Sequence, residues 1–202
     1  MRRRAGCRDV THSLTVRLGI FGGTFDPPHI GHLLAASDAF ELLQLDRLII
    51  VPAKEQPFKS GTVCASPQHR LKMLSDMVEG DDRFEVDAME IERPGLSFTV
   101  ETLTVFAERH ANAHLCFLIG EDLVSQLADW REPERIAALA EIVVLARPSE
   151  PRDASFPLRR IPTRLVDLSS TEIRARVRDG RSIRGFVPDS VAAHIAAARL
   201  YR

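Results

Sequence analysis

Short apolar runs alternate along this chain with segments whose apolar residues recur every three or four positions. The first run, residues 17–21, stops at Gly22-Gly23, a pattern typical of a buried strand that ends in a turn. After the turn, apolar residues return at helical spacing, namely Leu33, Ala36, Phe40 and Leu43. The opening of the chain therefore predicts a strand, a tight turn and a helix.

The same alternation continues to the end of the chain. Further strands are predicted at residues 47–51, 83–88, 114–119, 142–146 and 165–168. Ser66-Pro67 predicts a helix start, because it joins a capping side chain to a proline at the first helical position. Thr99 is expected to cap another helix, and two more helices are predicted to begin at Ser169 and Pro188. Residues 149–162, rich in proline and charge, are expected to form a loop.

Strands that alternate with helices predict βαβ units and a mostly parallel sheet. Because right-handed crossovers place helices on both faces of such a sheet, we expect an α/β fold with a Rossmann-like, doubly wound sheet in a single domain, residues 16–202. The basic, aperiodic residues 1–15 are expected to be a disordered leader or to precede the functional start, with an organellar transit peptide or a nucleic-acid-binding arm as less favoured alternatives. Ligands of doubly wound sheets bind beyond the carboxyl ends of the strands, which directs attention to residues 22–32, 52–59, 120–122 and 169–174.

Composition narrows the class of protein. The 202 residues are 45% hydrophobic and 27% charged, and a net charge of −1 gives no general attraction to a nucleic acid. No apolar run approaches the roughly 20 residues that cross a bilayer, so no membrane partner is expected. Three widely spaced cysteines, Cys7, Cys64 and Cys116, match neither a disulfide framework nor a zinc pattern and indicate reduced thiols in the cytoplasm. The sequence leaves the oligomeric state open, a homo-oligomer included.

The turn after the first strand is the strongest candidate for a phosphate site. Glycine accepts backbone angles that other residues resist, and the missing side chains let a phosphate approach backbone N–H groups. The N–H groups available in this turn are those of Gly22, Gly23, Thr24 and Phe25. The segment matches neither the dinucleotide pattern G-x-G-x-x-G nor the P-loop pattern.

Two histidines follow at the start of the predicted helix. His29 and His32 are three residues apart, a spacing that places both imidazoles on one side of a first helical turn. They lie at the positive end of the helix dipole, where an anion is favoured. His-x-x-His could also bind zinc, but no nearby cysteine or third histidine completes a zinc set. A triphosphate is therefore the favoured ligand.

A second anion site is predicted at Ser169-Ser170-Thr171. The hydroxyls can cap a helix whose first N–H groups then face an anion, and Arg174 adds a fork of donors for phosphate. An ordinary capped helix with a solvated arginine explains this segment equally well. Lys54 and Lys59, in the loop after the second strand, could fold over the phosphates or could simply be solvated.

Residues 22–32, Gly-Gly-Thr-Phe-Asp-Pro-Pro-His-Ile-Gly-His, closely resemble the signature of bacterial nicotinate-nucleotide adenylyltransferases, within the HxGH nucleotidyltransferase superfamily. The resemblance runs from about Leu18 to the C-terminus. The other matching segments are Val51-Pro52-Ala53, Ser97-Phe98-Thr99, Gly120-Glu121-Asp122, Trp130, Arg147-Pro148 and Ser169-Ser170-Thr171-Glu172-Ile173-Arg174. The resemblance implies transfer of AMP from ATP to nicotinate mononucleotide, giving deamido-NAD and pyrophosphate, in NAD biosynthesis.

The resemblance also implies roles for the ATP-binding residues. His29 and His32 should bind the α- and β-phosphates, and Arg174 with the helix amides from Ser170 onward should hold the β- and γ-phosphates. The acceptor phosphate is already anionic, so catalysis needs positioning and electrostatic stabilisation rather than a general base. We therefore expect His29, His32 and Arg174 to be the catalytic residues.

Two further residues and a metal complete the expected ATP site. Asp122 resembles the family residue that reaches the adenosine ribose, with a helix cap after Gly120 as the alternative. Residues 56–59 read Gln-Pro-Phe-Lys where the family usually has Pro-Pro-His-Lys, so Lys59 matches. Mg²⁺ is expected to be held mainly by ATP phosphates and water, with no metal-binding side chain.

On the acceptor side, the resemblance implies that Trp130 stacks on the pyridine ring and that Thr99 holds the pyridine carboxylate. A buried core indole is the ordinary alternative for the single tryptophan. Three neighbours depart from the family pattern: Arg131 replaces a common aromatic residue, Phe98 a common tyrosine, and Glu101 a common aspartate. Arg131 either supplies positive charge to the carboxylate or points to solvent.

Several other functions remain as alternatives. The nearest is the same reaction on nicotinamide mononucleotide, phosphopantetheine, or a sugar or alcohol phosphate, of which Trp130 and Thr99 disfavour the last two groups. A non-catalytic nucleotide sensor is disfavoured by the intact pair of His29 and His32. A nucleic-acid-binding protein that uses the arginine-rich leader would show salt-sensitive binding.

Overall fold

The computed structural model describes residues 15–55, 64–146, 156–164 and 166–202 and contains a six-stranded sheet between two layers of helices. The strands β1–β6 are Arg17–Gly23, Arg47–Pro52, Phe84–Val86, His114–Gly120, Glu141–Ala146 and Arg159–Pro162. The helices α1–α7 are Ile30–Leu42, Pro67–Val78, Met89–Glu92, Thr99–Arg109, Pro133–Leu139, Ser170–Arg178 and Asp189–Ala197. A 3₁₀ helix spans Glu121–Asp129.

The sheet is parallel, with the strand order β3-β2-β1-β4-β5-β6. The chain winds outward from β1 to β3, returns to the centre of the sheet, and winds outward again from β4 to β6. This reversal places a crevice at the carboxyl ends of β1 and β4, where ligands of such sheets bind. The predicted Rossmann-like α/β fold is confirmed.

Alternating side chains on the strands build two hydrophobic cores. One core packs α1, α2, α6 and α7 against one face of the sheet, with Ile50 and Leu118 among the strand residues. The other packs α4, the 3₁₀ helix and α5 against the opposite face, with Ile49 and Phe117. The strand interiors read as continuous apolar runs because both faces are covered.

The last strand lies elsewhere than predicted. β6 is Arg159–Pro162, inside the segment expected to be a loop. Residues 166–168, expected to form the strand, are described without strand structure, and Leu165 lies outside the described residues. The two arginines and the proline of β6 give it no apolar pattern that would predict a strand. An edge strand needs few buried side chains and tolerates charge. Ile161 alone in this strand is buried in the core.

Two of the three predicted helix caps form. Ser66 Oγ accepts the N–H of His69 at 3.3 Å, and Ser169 Oγ accepts the N–H of Glu172 at 3.1 Å. The expected cap at Thr99 is wrong, because the extended residue before the helix is Phe98 and Thr99 is already its first helical residue. The Thr99 side chain lines a cavity instead.

Two expectations from composition concern the whole molecule. Cys64 and Cys116 are not joined in a disulfide, and Cys7 lies outside the described residues. Across the described ranges, no helix combines the length and apolar character needed to span a membrane.

Candidate active site

The chain turns tightly at the carboxyl end of β1. Phe25 has a φ of 53° and folds its ring over Gly23, where an added Cβ would lie 2.8 Å from that ring. A side chain at position 23 would therefore displace the Phe25 ring. The buried Phe25 ring contacts His32 edge-on, with 5.0 Å between ring centroids. The turn thus supports the His32 ring from one side.

His29 and His32 stack on each other at the start of α1, with ring centroids 3.7 Å apart and an interplanar angle of 26°. His29 occupies the N-cap position, and its backbone N–H donates to Nδ1 of His32 at 3.2 Å. A neutral imidazole that accepts at Nδ1 carries its proton on Nε2, which makes Nε2 of His32 a donor. Gly31 permits this stacking, because a Cβ there would lie 3.0 Å from the His29 ring.

A cavity of about 610 Å³ opens beside this pair, and we call it the histidine cavity. Its lining contains the predicted ribose contact Asp122 and residues of both predicted phosphate sites: Gly22, Gly23, Thr24, Phe25, His29, His32, Ser169, Ser170, Thr171 and Arg174. The N-termini of α1 and α6 therefore meet at one cavity, although more than 130 residues separate them in the sequence. Positive helix ends on two sides of a cavity favour an anion within it.

Side chains of α6 tie that helix to the turn after β1. Ser170 Oγ donates to the carbonyl of Pro27 at 2.8 Å. Arg174 donates through Nη1 to the carbonyl of Asp26 at 2.7 Å and through Nη2 to Thr171 Oγ1 at 3.2 Å. The Arg174 guanidinium therefore has a fixed place in the wall of the histidine cavity.

Asp122 is exposed at the end of β4 and lines the histidine cavity. Its carboxylate lies against Gly120, where an added Cβ would be 2.4 Å from Oδ1. Gly120 holds the N-cap position of the 3₁₀ helix without a side-chain cap. The capping role considered for Asp122 is therefore absent, and its carboxylate faces the cavity side of the β4 end.

A second cavity, of about 340 Å³, adjoins the first, and we call it the tryptophan cavity. Its lining includes all three predicted acceptor residues, Thr99, Trp130 and Arg131. The Trp130 ring is half-buried and tilted against Phe117, with 6.1 Å between centroids. Both cavities share Gly22, Gly23 and Leu123. They therefore meet where β1 ends.

Arg131 lies on the rim of the tryptophan cavity in an ion pair. Its Nη1 is 2.9 Å from Glu101 Oε1, its Nε is 3.7 Å from Glu132 Oε1, and its guanidinium lies 4.8 Å over the Phe98 ring. The three departures noted in the sequence, at positions 98, 101 and 131, thus contact one another. Arg131 does not simply point to solvent, because Glu101 compensates its charge.

Of the two loop lysines, Lys54 lies among the described residues. Lys54 Nζ donates to the carbonyl of Arg93 at 3.0 Å, and the backbone N–H of Lys54 donates to Ser97 Oγ at 3.0 Å. Lys54 therefore fixes the segment that leads into α4. Lys59 and Arg147-Pro148 lie outside the described residues.

Sequence reasoning missed buried polar groups in both cavities. In the tryptophan cavity, the hydroxyl of Thr102 donates to Glu90 Oε1 at 2.6 Å, and both side chains are buried. These residues lie on different helices, α3 and α4, so no local spacing marks the pair. In the histidine cavity, the missed residue is Asp26, which lies inside the recognised segment.

The buried Asp26 carboxylate is a junction of three chain segments. It accepts the N–H groups of Cys64 and Ala65 at 2.7 and 3.1 Å and the hydroxyl of Tyr201 at 2.7 Å. Burial and the neighbouring Asp26 carboxylate raise the pKa of Tyr201 well above its ordinary value. The Tyr201 hydroxyl is therefore a neutral donor at any working pH.

Arg70 adds a fully buried guanidinium to the same region. It donates to the carbonyls of Thr24 and Lys54, at 2.7 and 3.0 Å, and so joins the turns that follow β1 and β2. Burial lowers the pKa of Arg70, while the Asp26 carboxylate acts in the opposite direction.

A possible metal cluster lies at the other end of the sheet. Within the described ranges, ligand atoms of His114, Cys116 and Glu141 lie within 4.8 Å of one another, at the amino ends of β4 and β5. Glu141 already pairs with Arg17 and Arg159, at 3.5 and 3.4 Å, and two guanidinium groups disfavour a divalent cation. Burial raises the pKa of Cys116 to about 11, so its thiol stays protonated.

The chain matches known proteins in sequence. A family model described as cytidylyltransferase-like matches residues 20–176, which defines the class of the protein. A probable nicotinate-nucleotide adenylyltransferase of Gemmatimonas aurantiaca is 50% identical over 197 residues, covering 93% of each chain. Another, of Roseiflexus castenholzii, is 45% identical and covers 92% of this chain and 98% of its own.

Solved structures share the fold. A Plasmodium falciparum nicotinic acid mononucleotide adenylyltransferase complexed with NaAD gives a TM-score of 0.75 at 20% identity, over 92% of this chain and 97% of the other. A putative nicotinate-nucleotide adenylyltransferase of Vibrio parahaemolyticus gives 0.69 at 21% identity, over 93% and 96%. With the identities in sequence, the chain belongs to the nicotinate-nucleotide adenylyltransferase family of nucleotidyltransferases, as residues 22–32 indicated.

Proposed function

We propose that this protein transfers AMP from ATP to nicotinate mononucleotide, producing deamido-NAD and pyrophosphate in NAD biosynthesis. The observation that carries the proposal is the meeting of the two cavities at Gly22 and Gly23. One cavity has two helix N-termini for a triphosphate, and the other has apolar walls and an indole for an aromatic ring. The names of the relatives, and a structural neighbour complexed with NaAD, support the same reaction.

In the histidine cavity, the chain's groups would bind the triphosphate and stabilise charge that develops during transfer. The backbone N–H groups from Gly22 to Phe25 and the rings of His29 and His32 would contact the α- and β-phosphates. The donor assigned to Nε2 of His32 suits a phosphate oxygen. The N-terminus of α6, Ser169–Thr171, and Arg174 would hold the β- and γ-phosphates.

Two ATP contacts rest on the resemblance more than on geometry. Asp122 would accept a hydroxyl of the adenosine ribose, a role that its place at the end of β4 allows. Lys59 would meet the phosphates from the loop after β2. Substitution of either residue should raise the KM for ATP and leave the KM for the acceptor unchanged.

In the tryptophan cavity, the indole of Trp130 would stack on the pyridine ring and the Thr99 hydroxyl would hold its carboxylate. Arg131 would contribute positive charge to the acceptor from the rim of the cavity, where its guanidinium is already paired with Glu101. The mononucleotide phosphate would then lie near Gly22 and Gly23, next to the α-phosphate of ATP. Reaction between two anions depends on this placement, and no general base is required.

We propose Mg²⁺ as the metal, carried by ATP and held by triphosphate oxygens and water. The side chains fit that arrangement, since the Asp26 carboxylate in the histidine cavity accepts two N–H groups and a hydroxyl. Mg²⁺ would neutralise part of the charge on the triphosphate. Removal of Mg²⁺ with a chelator should abolish turnover.

The direct test is pyrophosphate release with ATP and Mg²⁺ across several acceptors. We expect a clear preference for nicotinate mononucleotide over nicotinamide mononucleotide, phosphopantetheine and sugar phosphates. Equal or better use of the amide would overturn the selectivity. ATP binding without release for any acceptor would favour a sensor, and salt-sensitive nucleic-acid binding lost with residues 1–15 would favour a nucleic-acid partner.

We also propose that the protein is located in the cytoplasm. Its proposed partners are the two nucleotides and, in a homo-oligomer, a second copy of the chain, with no nucleic acid and no membrane. Cys64 and Cys116 are not joined in a disulfide, which is compatible with a reducing compartment. Fractionation of cells and the mass of the purified protein in solution test these two points.

A further inference from the structure

A side chain near the C-terminal end of the chain contacts a residue in the wall of the histidine cavity. Tyr201, the only tyrosine, donates its hydroxyl to Asp26 Oδ1 at 2.7 Å across 175 positions of sequence. Asp26 is 3% exposed and lines the histidine cavity. A buried carboxylate is stable only where donors surround it, so Tyr201 is part of what keeps Asp26 in place.

The backbone before Tyr201 is bent to bring the ring inward. Arg199 has a φ of 52° and Tyr201 a φ of 64°, two left-handed conformations in residues other than glycine, just after α7 ends. Such conformations are costly and persist where the surrounding structure fixes them. The hydrogen bond to Asp26 and the packing of the Tyr201 ring against the core supply that constraint.

Asp26 in turn fixes Arg174. The Arg174 Nη1 donates to the carbonyl of Asp26 at 2.7 Å and lies 3.9 Å from its Oδ2. Asp26 therefore contacts Tyr201 through its carboxylate, and it contacts Arg174 through both its backbone carbonyl and its carboxylate. A displacement of Asp26 would move the guanidinium that the proposed function places on the ATP phosphates.

We propose that Tyr201 is a positioning residue for the triphosphate: its hydroxyl fixes Asp26, and Asp26 fixes Arg174. The proposal rests on the proposed function, in which Arg174 binds ATP. Tyr201 has no part in acceptor binding, because neither it nor Asp26 lines the tryptophan cavity. The last residues of the chain thus belong to the ATP site functionally, although the recognised motifs end at Arg174.

The first test is Tyr201→Phe in the full chain, which keeps the ring and removes only the hydroxyl. Because the lost bond acts on ATP only through Asp26 and Arg174, we expect the KM for ATP to rise several-fold, with about tenfold as the upper limit for one hydrogen bond to a charged group. The KM for nicotinate mononucleotide should stay unchanged. The matched control is Ser190→Ala, which removes the 3.0 Å bond from Ser190 Oγ to the carbonyl of Asp76 between α7 and α2, outside both cavities.

Ser190→Ala should leave both KM values unchanged, even where its melting temperature falls as far as that of Tyr201→Phe. An ATP KM within twofold of wild type in Tyr201→Phe would overturn the proposal. A parallel rise in both KM values would also overturn it, because that pattern reports general loosening of the fold.

The second test is a double-mutant cycle with Arg174→Ala, in which ATP affinity is measured by equilibrium binding rather than by turnover. If Tyr201 acts through Arg174, Tyr201→Phe should weaken ATP binding in the wild type and add little in Arg174→Ala. Full additivity would overturn the positioning role. If Arg174→Ala itself leaves ATP affinity unchanged, the proposed role of Arg174 fails, which is a different outcome from failure of Tyr201 alone.

Discussion

The wall of the histidine cavity and the rim of the tryptophan cavity are held by different kinds of contact. Around the histidine cavity, the fixing groups are buried: Asp26 is 3% exposed, Arg70 is 0% exposed, and both bond to several backbone segments. At the rim of the tryptophan cavity, the Arg131 and Glu101 side chains of the ion pair are 51% and 38% exposed. Exposed pairs contribute little to stability and adjust easily, whereas buried charged networks are costly to disturb.

This difference indicates which of the two cavities tolerates substitution better. In the proposed function the histidine cavity holds a triphosphate in one geometry, and its backbone is bonded to side chains from distant parts of the chain. At the rim of the tryptophan cavity, Phe98, Glu101 and Arg131 form one connected set of exposed or half-exposed side chains. Substitutions in the first cavity should therefore cost more than substitutions at the rim of the second.

The largest effect is expected for His32→Ala. In the proposed function His32 donates to the transition state, so its loss should lower kcat by about 10²–10³-fold and leave acceptor binding largely intact. Steady-state kinetics checks this, with His110→Gln as the control, because His110 is exposed at the end of α4 and lines neither cavity. Near-normal turnover in His32→Ala would refute its role.

The next largest difference is expected in the free energy of unfolding, between a substitution beside the histidine cavity and one at the rim of the tryptophan cavity. Arg70→Met removes a buried guanidinium that serves two carbonyls and should lower the free energy of unfolding by about 3 kcal/mol or more. Arg131→Met removes an exposed ion pair and should lower it by less than about 1 kcal/mol. Urea unfolding followed by circular dichroism measures both values. Equal losses would contradict the contrast between the cavities.

Acceptor selectivity should depend on one hydroxyl. Thr99→Val should raise the KM for nicotinate mononucleotide about tenfold, because a bond to a carboxylate is lost, and should change the KM for the amide much less. Thr104→Val on the same helix is the matched control, since the Thr104 hydroxyl donates to the carbonyl of Val100 and lines neither cavity. A uniform change for acid and amide would argue against Thr99 as the carboxylate contact.

The smallest expected effect is a dependence of stability on pH at the contact of α2 with α7. Burial lowers the pKa of His194 below its ordinary value of 6.5; His69 and Lys72 act in the same direction, and Asp76 opposes them. The unfolded chain therefore binds the proton more readily, and stability falls as pH drops through about 6.5.

Melting temperatures between about pH 8 and pH 5 test this dependence. His194→Gln should flatten the acid side of the profile, and an unchanged profile would contradict the assignment.

Predictions from sequence succeeded where the relevant contacts are local. The caps at Ser66 and Ser169 need partners only three residues away, and the stacked pair of His29 and His32 lies within one helical turn. The fold class followed from the alternation of strands and helices. The prediction of β6 failed because pairing with β5, rather than an apolar pattern, decides an edge strand.

The amino-acid sequence by itself determined the parallel α/β fold, the turn after β1 and the family, because periodicity and a contiguous motif encode them. Only the tertiary structure decided that the two cavities share Gly22 and Gly23, that Arg131 pairs with Glu101, and that Tyr201 reaches Asp26. These contacts join residues from 30 to 175 positions apart. Chain folding brings such residues together through burial and hydrogen bonding across elements, which leaves no periodic trace in the sequence.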